Sequence, residues 1–254
     1  IGLTYDLQTD PSDERQAEFD PPGTVERLRQ ALAQLGHHVT LLGGAEALLR
    51  SAQRLRAVDL VFNIAEGSHG RCREAWVPTL LELHGVPYVG SDPLALAIGL
   101  DKLMSKRLAA AVGVPTPAWI TVNHPEEIPE PLPLAFPVIV KPRGEGSGIG
   151  IDAGAVVMTP RALAERARWL FARWREPMLI EALIPHGELT VCVIGNDPPM
   201  AYPAIQRPVD PTTRLAAHVL RSSATAWEAP LGLDERLDAE ARRIALAMFE
   251  VLGC

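Results

Sequence analysis

Lysine is nearly absent from this 254-residue chain: 21 of its 24 cationic side chains are Arg, and the lysines are Lys102, Lys106 and Lys141. Cysteine is as scarce. Cys72, Cys192 and Cys254 are odd in number and widely spaced, which argues against a disulfide framework or a zinc site and fits a reducing, cytoplasmic setting. Positive charge is outweighed, with 24 Lys and Arg against 31 Asp and Glu for a net −7, so a nucleic-acid partner held on a basic face is not expected. No apolar run nears the ~18 residues of a membrane span, and no charged-then-apolar leader opens the chain, so no membrane partner is expected either. Apolar residues are plentiful. At 47% hydrophobic and 22% charged, the chain can bury a core in one large domain or two.

Strand-like runs at residues 1–6, 39–42, 58–64 and 86–89 alternate with helical patterns at 24–35, 44–56 and 74–84. In the first helix Val25, Leu28, Ala31, Leu32 and Leu35 share one face. Such alternation predicts βαβ units and a parallel sheet, with ligands collecting at the carboxyl ends of its strands. That puts Tyr5-Asp6 and residues 63–67 on one rim. Ser91-Asp92-Pro93 caps a helix running to about 112 with a break at Gly99. Residues 124–137, with five prolines, read as a surface connection. Further strands are expected at 138–141, 153–158, 178–182, 188–194 and 199–206, helices at 160–173 and 234–252, and an irregular loop over 207–223. The chain starts inside a strand-like run and stops at a helix-ending glycine, so it is expected to be part of a longer protein.

Three stretches carry chemistry. Residues 138–150, VIVKPRGEGSGIG, end an apolar strand in Lys141 and follow it with a loop holding four glycines in seven positions. Backbone that approaches a polyphosphate needs residues without Cβ, so that several N–H groups converge on anionic oxygens. The loop lacks a closing Gly-Lys-Ser/Thr and leads into a strand, so neither a P-loop nor a dinucleotide fingerprint fits; an ordinary glycine-rich hairpin is the alternative. Residues 99–106, GLDKLMSK, set Lys102 and Lys106 one helical turn apart, as a phosphate contact or a solvated face. A chain that supplies its cations as Arg retains Lys where a compact point charge is wanted, which favours a role for Lys102. Residues 178–190, MLIEALIPHGELT, end a strand in Glu181 and open the next with Glu188. Backbone between them can pair with a purine edge and a carboxylate can accept from ribose hydroxyls.

In this order and spacing the three stretches resemble the ATP-grasp superfamily, and within it the D-alanine–D-alanine ligase branch, with PYVGS at 87–91 and GVP at 113–115 also in place. The resemblance covers nearly the whole chain. It implies an α/β fold: an N-terminal doubly wound parallel sheet (pre-ATP-grasp) over 1–95, a central ATP-grasp lid subdomain over 96–180 and a C-terminal ATP-grasp subdomain over 181–254, incomplete here. It implies that Lys102 and Lys141 contact ATP phosphates and that residues 145–150 form the mobile phosphate loop, with Glu145, Gly146 and Gly148 at the nucleotide and Ser147 near the transferred group. Glu181, with backbone at Ala182 and Ile184, would hold adenine, and Glu188 the ribose. The implied activity is ATP-dependent joining of a carboxylate to an amine through an acyl phosphate, with Mg²⁺ whose ligands are expected beyond Cys254. Amino-acid-like substrates and a homodimer follow by the same analogy.

Departures from the family pattern bear on the substrate. The first strand leads into Tyr5-Asp6-Leu7 and a long acidic insertion in place of a Gly-Gly-x-Ser loop. The family's His-Gly-x-x-Gly-Glu-Asp-Gly motif is here SHGRCREA at 68–75, where His69 is one position off and Arg73 replaces the Glu. Arg73 could bind a substrate carboxylate or be a solvated helix start. The second mobile loop, AHVLR at 217–221, lacks the family's Tyr and Lys. ATP use is therefore expected and D-alanine is not. A non-catalytic nucleotide-binding module and an ATP-grasp kinase are the alternatives.

Overall fold

The computed structural model describes residues 1–185, 187–207, 210, 213, 215 and 233–254. The chain divides into two compact units, residues 1–100 with 253–254, and residues 101–252. Among the described residues no helix is long and apolar enough to cross a membrane. Most of the irregular loop expected over 207–223, including 217–221, lies outside the described residues.

Unit 1 is a parallel sheet in the order β2-β1-β3-β4, from β1 (Gly2–Thr4), β2 (Thr40–Leu41), β3 (Val61–Asn63) and β4 (Tyr88–Val89). The chain leaves β1 for one side and returns to the other. That is the strand-order reversal at which such sheets place ligands, outside their carboxyl ends. The helices are α1 (Pro22–Gln34), α2 (Ala45–Arg50), α3 (Trp76–Leu83) and α4 (Pro93–Leu100). Leu42, Leu48, Leu55, Val61, Val77 and Leu81 form the core between α2, α3 and the strands. Two expectations change. Residues 44–56 are not one helix: α2 stops before Ser51 and a 3-10 segment, Ala52–Ala57, follows. On α1 Val25 is buried, but Leu35 and Ala31 are exposed, so the apolar face is only partly covered.

Unit 2 begins with α5 (Lys102–Ala111). The helix break falls at Asp101, not Gly99, because the Asp101 carboxylate caps α5 by accepting from the amides of Leu103 at 3.0 Å and Met104 at 3.3 Å, which a Gly cannot do. An antiparallel sheet follows in the order β5-β8-β6-β7, from β5 (Trp119–Val122), β6 (Val138–Pro142), β7 (Val156–Val157) and β8 (Met178–Ala182). Strands β6 and β8 are buried almost throughout and open with three apolar residues before Lys141 and Glu181, as expected of central strands. Helix α6 (Pro160–Trp174) packs Leu163, Ala167 and Leu170 on Val138, Val140, Met178 and Ile180. Its start is fixed by Thr159, which accepts from the Ala162 amide at 3.2 Å, and its end by the left-handed Arg175.

The 124–137 segment is more than a surface connection: Ile128, Leu132, Leu134 and Phe136 pack against this core. Residues 153–158 are mostly a 3-10 turn, Ala153–Ala155, with a two-residue strand. Residues 188–194 are two short strands, β9 (Glu188–Thr190) and β10 (Val193–Ile194), and 199–206 likewise splits into β11 (Met200–Ala201) and β12 (Ile205–Arg207). β9 pairs with β12 and β10 with β11. Helix α7 (Glu235–Leu252) ends the unit, with Asp238 accepting from the Ala204 amide at 2.7 Å.

Candidate nucleotide site

Side chains alternate across a strand. With Val138 and Val140 facing α6, Ile139 and Lys141 face the opposite side of the sheet. On β8, Glu181 stands directly across from Ile139, and Lys141 is two positions along β6. Diagonal neighbours on one face lie within reach of long side chains, and the Lys141 ammonium donates to Glu181 Oε1. Lys106, from α5, approaches the second oxygen at 2.7 Å and also donates to Thr116 Oγ1 at 2.6 Å. Glu181 is therefore a buried carboxylate between two ammonium groups. Burial by itself would raise its carboxyl, but Lys141 and Lys106 outweigh that and hold it below the usual carboxylate range.

The glycine-rich loop leaves β6 beside the start of α5. Asp101 meets Arg143 through two bonds, 2.7 Å to Nε and 2.6 Å to Nη2, the fork geometry in which Arg–carboxylate pairs are strongest. The Lys102 amide donates to Arg143 O at 3.2 Å, and its ammonium to Glu145 O. At the far end Arg166, itself buried, donates to Gly150 O and Asp152, each at 2.7 Å. Gly150 has φ +73°, and a Cβ there would lie 2.5 Å from Pro142, so a side chain is excluded both by conformation and by space. The loop is held at both ends. Between them Gly146, Ser147 and Gly148 turn over, with Ser147 and Gly148 at φ 44° and 75°.

The structure brings Lys141 and Glu181 together, and Lys102 and Glu145. Ala182 follows Glu181 on β8, with its amide donating to Ala118 O at 2.9 Å, so a ligand cannot use that donor. Ile184 is exposed in the linker beyond β8. Glu188 sits apart on β9, 3.6 Å from Arg207. Arg73 belongs to unit 1. It is not a solvated helix start: it is 5% exposed and bonded to Glu18 at 2.7 Å. Sequence reasoning paired Lys106 with Lys102 on one helix face but gave it no role, and it passed over Arg143 and Arg166. The signal for Lys106 was available, since it is one of three lysines.

The profile of the family described as "D-ala D-ala ligase C-terminus" matches residues 108–254, more than half of the chain, and the chain belongs to that family. It is 34% identical over 232 residues to the D-alanine–D-alanine ligase of a Marinomonas species, covering 89% of this chain and 70% of that protein. An uncharacterized protein of Sinorhizobium fredii is 31% identical, covering 88% and 68%. Among solved structures, the D-alanine–D-alanine ligase of Bacillus anthracis complexed with ATP superposes with a TM-score of 0.74 at 23% identity, covering all of this chain and 78% of that one. That likeness shows the shared α/β ATP-grasp fold.

Proposed function

We infer that this chain is an ATP-dependent ligase that joins a carboxylate to an amine. The observation that carries the reading is the buried carboxylate of Glu181 shared by Lys106 and Lys141, on the sheet face that leads into the glycine-rich loop. The family named above supports it.

In this reading the nucleotide lies between subdomains 96–180 and 181–254, with adenine near Glu181 and Ile184 and the ribose at Glu188. Lys141 and Lys102 meet its phosphates, and Gly146, Ser147 and Gly148 present amides to the transferred group. One substrate carboxylate oxygen attacks the γ-phosphorus, the bond to ADP breaks, and an acyl phosphate forms. The amine then attacks the acyl carbon, phosphate leaves, and the amine's proton is released. Phosphoryl transfer asks for positioning and charge neutralisation, which ammonium groups and loop amides supply. Lys141 would move from Glu181 towards the phosphates, and Lys106 would keep the carboxylate paired. Mg²⁺ belongs with ATP in such chemistry. Among the described residues, however, no group of three or more His, Cys, Asp or Glu side chains is arranged to hold a metal, and no step here is routed through one.

Titration calorimetry with ATP tests the site: Lys141→Ala should bind far more weakly, and unchanged affinity would overturn the reading. Phosphate release with a panel of amino acids then separates a ligase from a binding module, and mass spectrometry of the products separates amide from phosphorylated product.

A further inference from the structure

The stretches that carry Lys102 and Lys141 meet at one ion pair. Asp101 precedes Lys102 at the start of α5, and Arg143 follows β6, two positions beyond Lys141. The two oxygens of Asp101 have different partners. Oδ1 accepts from the amides of Leu103 and Met104 and from Arg143 Nε at 2.7 Å, and Oδ2 accepts from Arg143 Nη2 at 2.6 Å. Arg143 is held by its backbone as well: its amide donates to Pro177 O at 2.9 Å, and its carbonyl accepts from the Lys102 amide at 3.2 Å. The next residue extends the hold. The Gly144 amide donates to Glu176 Oε2 at 3.3 Å, and a Cβ at Gly144 would lie 3.1 Å from that oxygen. Asp101 is 5% exposed, and attraction between opposite charges rises as water is excluded.

We propose that Asp101 and Arg143 are a positioning pair, which sets the spacing of the Lys102 and Lys141 ammonium groups so that both reach one triphosphate. The proposal rests on the ligase reading and deepens it: the pair acts through the two lysines and not on the nucleotide itself. A lysine ammonium is a point charge on a flexible stem, so where it arrives depends on the backbone that carries it. Phosphoryl transfer asks for positioning above all, and a misplacement of about 1 Å can cost on the order of a hundredfold in rate. A planar fork fixes one element against another in direction as well as distance. Here it fastens the exit of β6 to the first turn of α5, the two places from which the lysines project.

Calorimetry on the whole chain with ATP and with adenosine separates the phosphate contribution from that of base and ribose. Asp101→Asn keeps the capping oxygen but sets an amide donor where Oδ2 accepts, facing the guanidinium. Arg143→Lys keeps the charge and loses the fork. Each should weaken ATP about tenfold or more and leave adenosine within about twofold. The double variant should lose little more than either single one, as two partners of one interaction do. A shifted denaturant midpoint with an unchanged ratio of ATP to adenosine affinity would make the pair merely structural and overturn the proposal, as would two single variants that both fail to fold. The same titrations keep the readings apart. A preference for ATP over adenosine that is lost in Lys141→Ala but kept in Asp101→Asn and Arg143→Lys sinks the pair alone, and a native chain without that preference sinks the ligase reading.

Discussion

In unit 2 a buried carboxylate, Glu181, is shared by the ammonium groups of Lys106 and Lys141. In unit 1 a buried guanidinium, Arg73, lies among Glu18, Glu66, Glu74 and Asp20. Burial pushes both Glu181 and Glu66 towards the protonated form. Glu181 nevertheless ends below the ordinary carboxylate value, whereas burial reinforced by Glu74, Glu18 and Asp20 raises Glu66 to about 8. The desolvation is alike and the sign of the neighbours differs. One region keeps its buried carboxyl charged among ammonium groups, and the other holds its buried carboxyl protonated among carboxylates.

Breaking the Arg73–Glu18 pair should have the largest effect on stability. Arg73→Leu leaves a buried carboxylate without its partner and should cost about 3–5 kcal/mol, read as a shifted denaturant midpoint. Adding Glu18→Leu should recover most of it, and a double variant as unstable as the single one would contradict the pairing. Lys141→Ala tests the other region. In the ligase reading Lys141 meets a phosphate, and truncating one partner of such a desolvated charge pair costs about 2–5 kcal/mol of binding, read as lost ATP affinity.

Glu66 sharpens the contrast through pH. Its folded pKa of about 8 lies above the ordinary value of 4.5, so the folded state holds the proton more tightly than the unfolded one. The stability it contributes is therefore complete below about pH 4.5 and lost as pH rises through about 8. Unfolding free energy should fall across that window by on the order of 2–3 kcal/mol, allowing for partial exposure. Glu66→Gln should flatten the profile, and an unchanged slope would refute the assignment. Arg161→Ala supplies the small end of the scale. Its pair with Glu165 is 2.9 Å long but highly exposed, so its loss should be a barely measurable shift of the midpoint in the same denaturant assay. A larger loss would mean that burial is not what distinguishes these pairs.

Much of this was legible along the chain. The parallel βαβ start, Lys141 at the end of an apolar strand, the glycine-rich hairpin and the strand ending in Glu181 are local patterns, and local patterns survive folding. Asp101 was read as part of the LDK stretch, but its capping of α5 was not, because Gly99 is the louder helix breaker. The strand Trp119–Val122 went unnoticed between proline clusters, since its pairing with β8 leaves no period-two signature in four residues. The apolar residues of 128–136 were hidden by the five prolines around them. Arg73 stayed open between a substrate contact and a solvated helix start because Glu18, which buries its charge, lies 55 positions away.

Residue type and spacing alone determined that the chain alternates strand and helix, and that Lys141 closes an apolar strand just before a glycine-rich turn. Only the tertiary structure decided that Lys106 and Lys141 share one carboxylate and that Arg73 is spent on Glu18. Each of those outcomes depends on the register of paired strands and on which face a side chain takes. Lys141 and Glu181 are 40 positions apart, and a one-residue slip in β6 against β8 would turn them to opposite sides of the sheet.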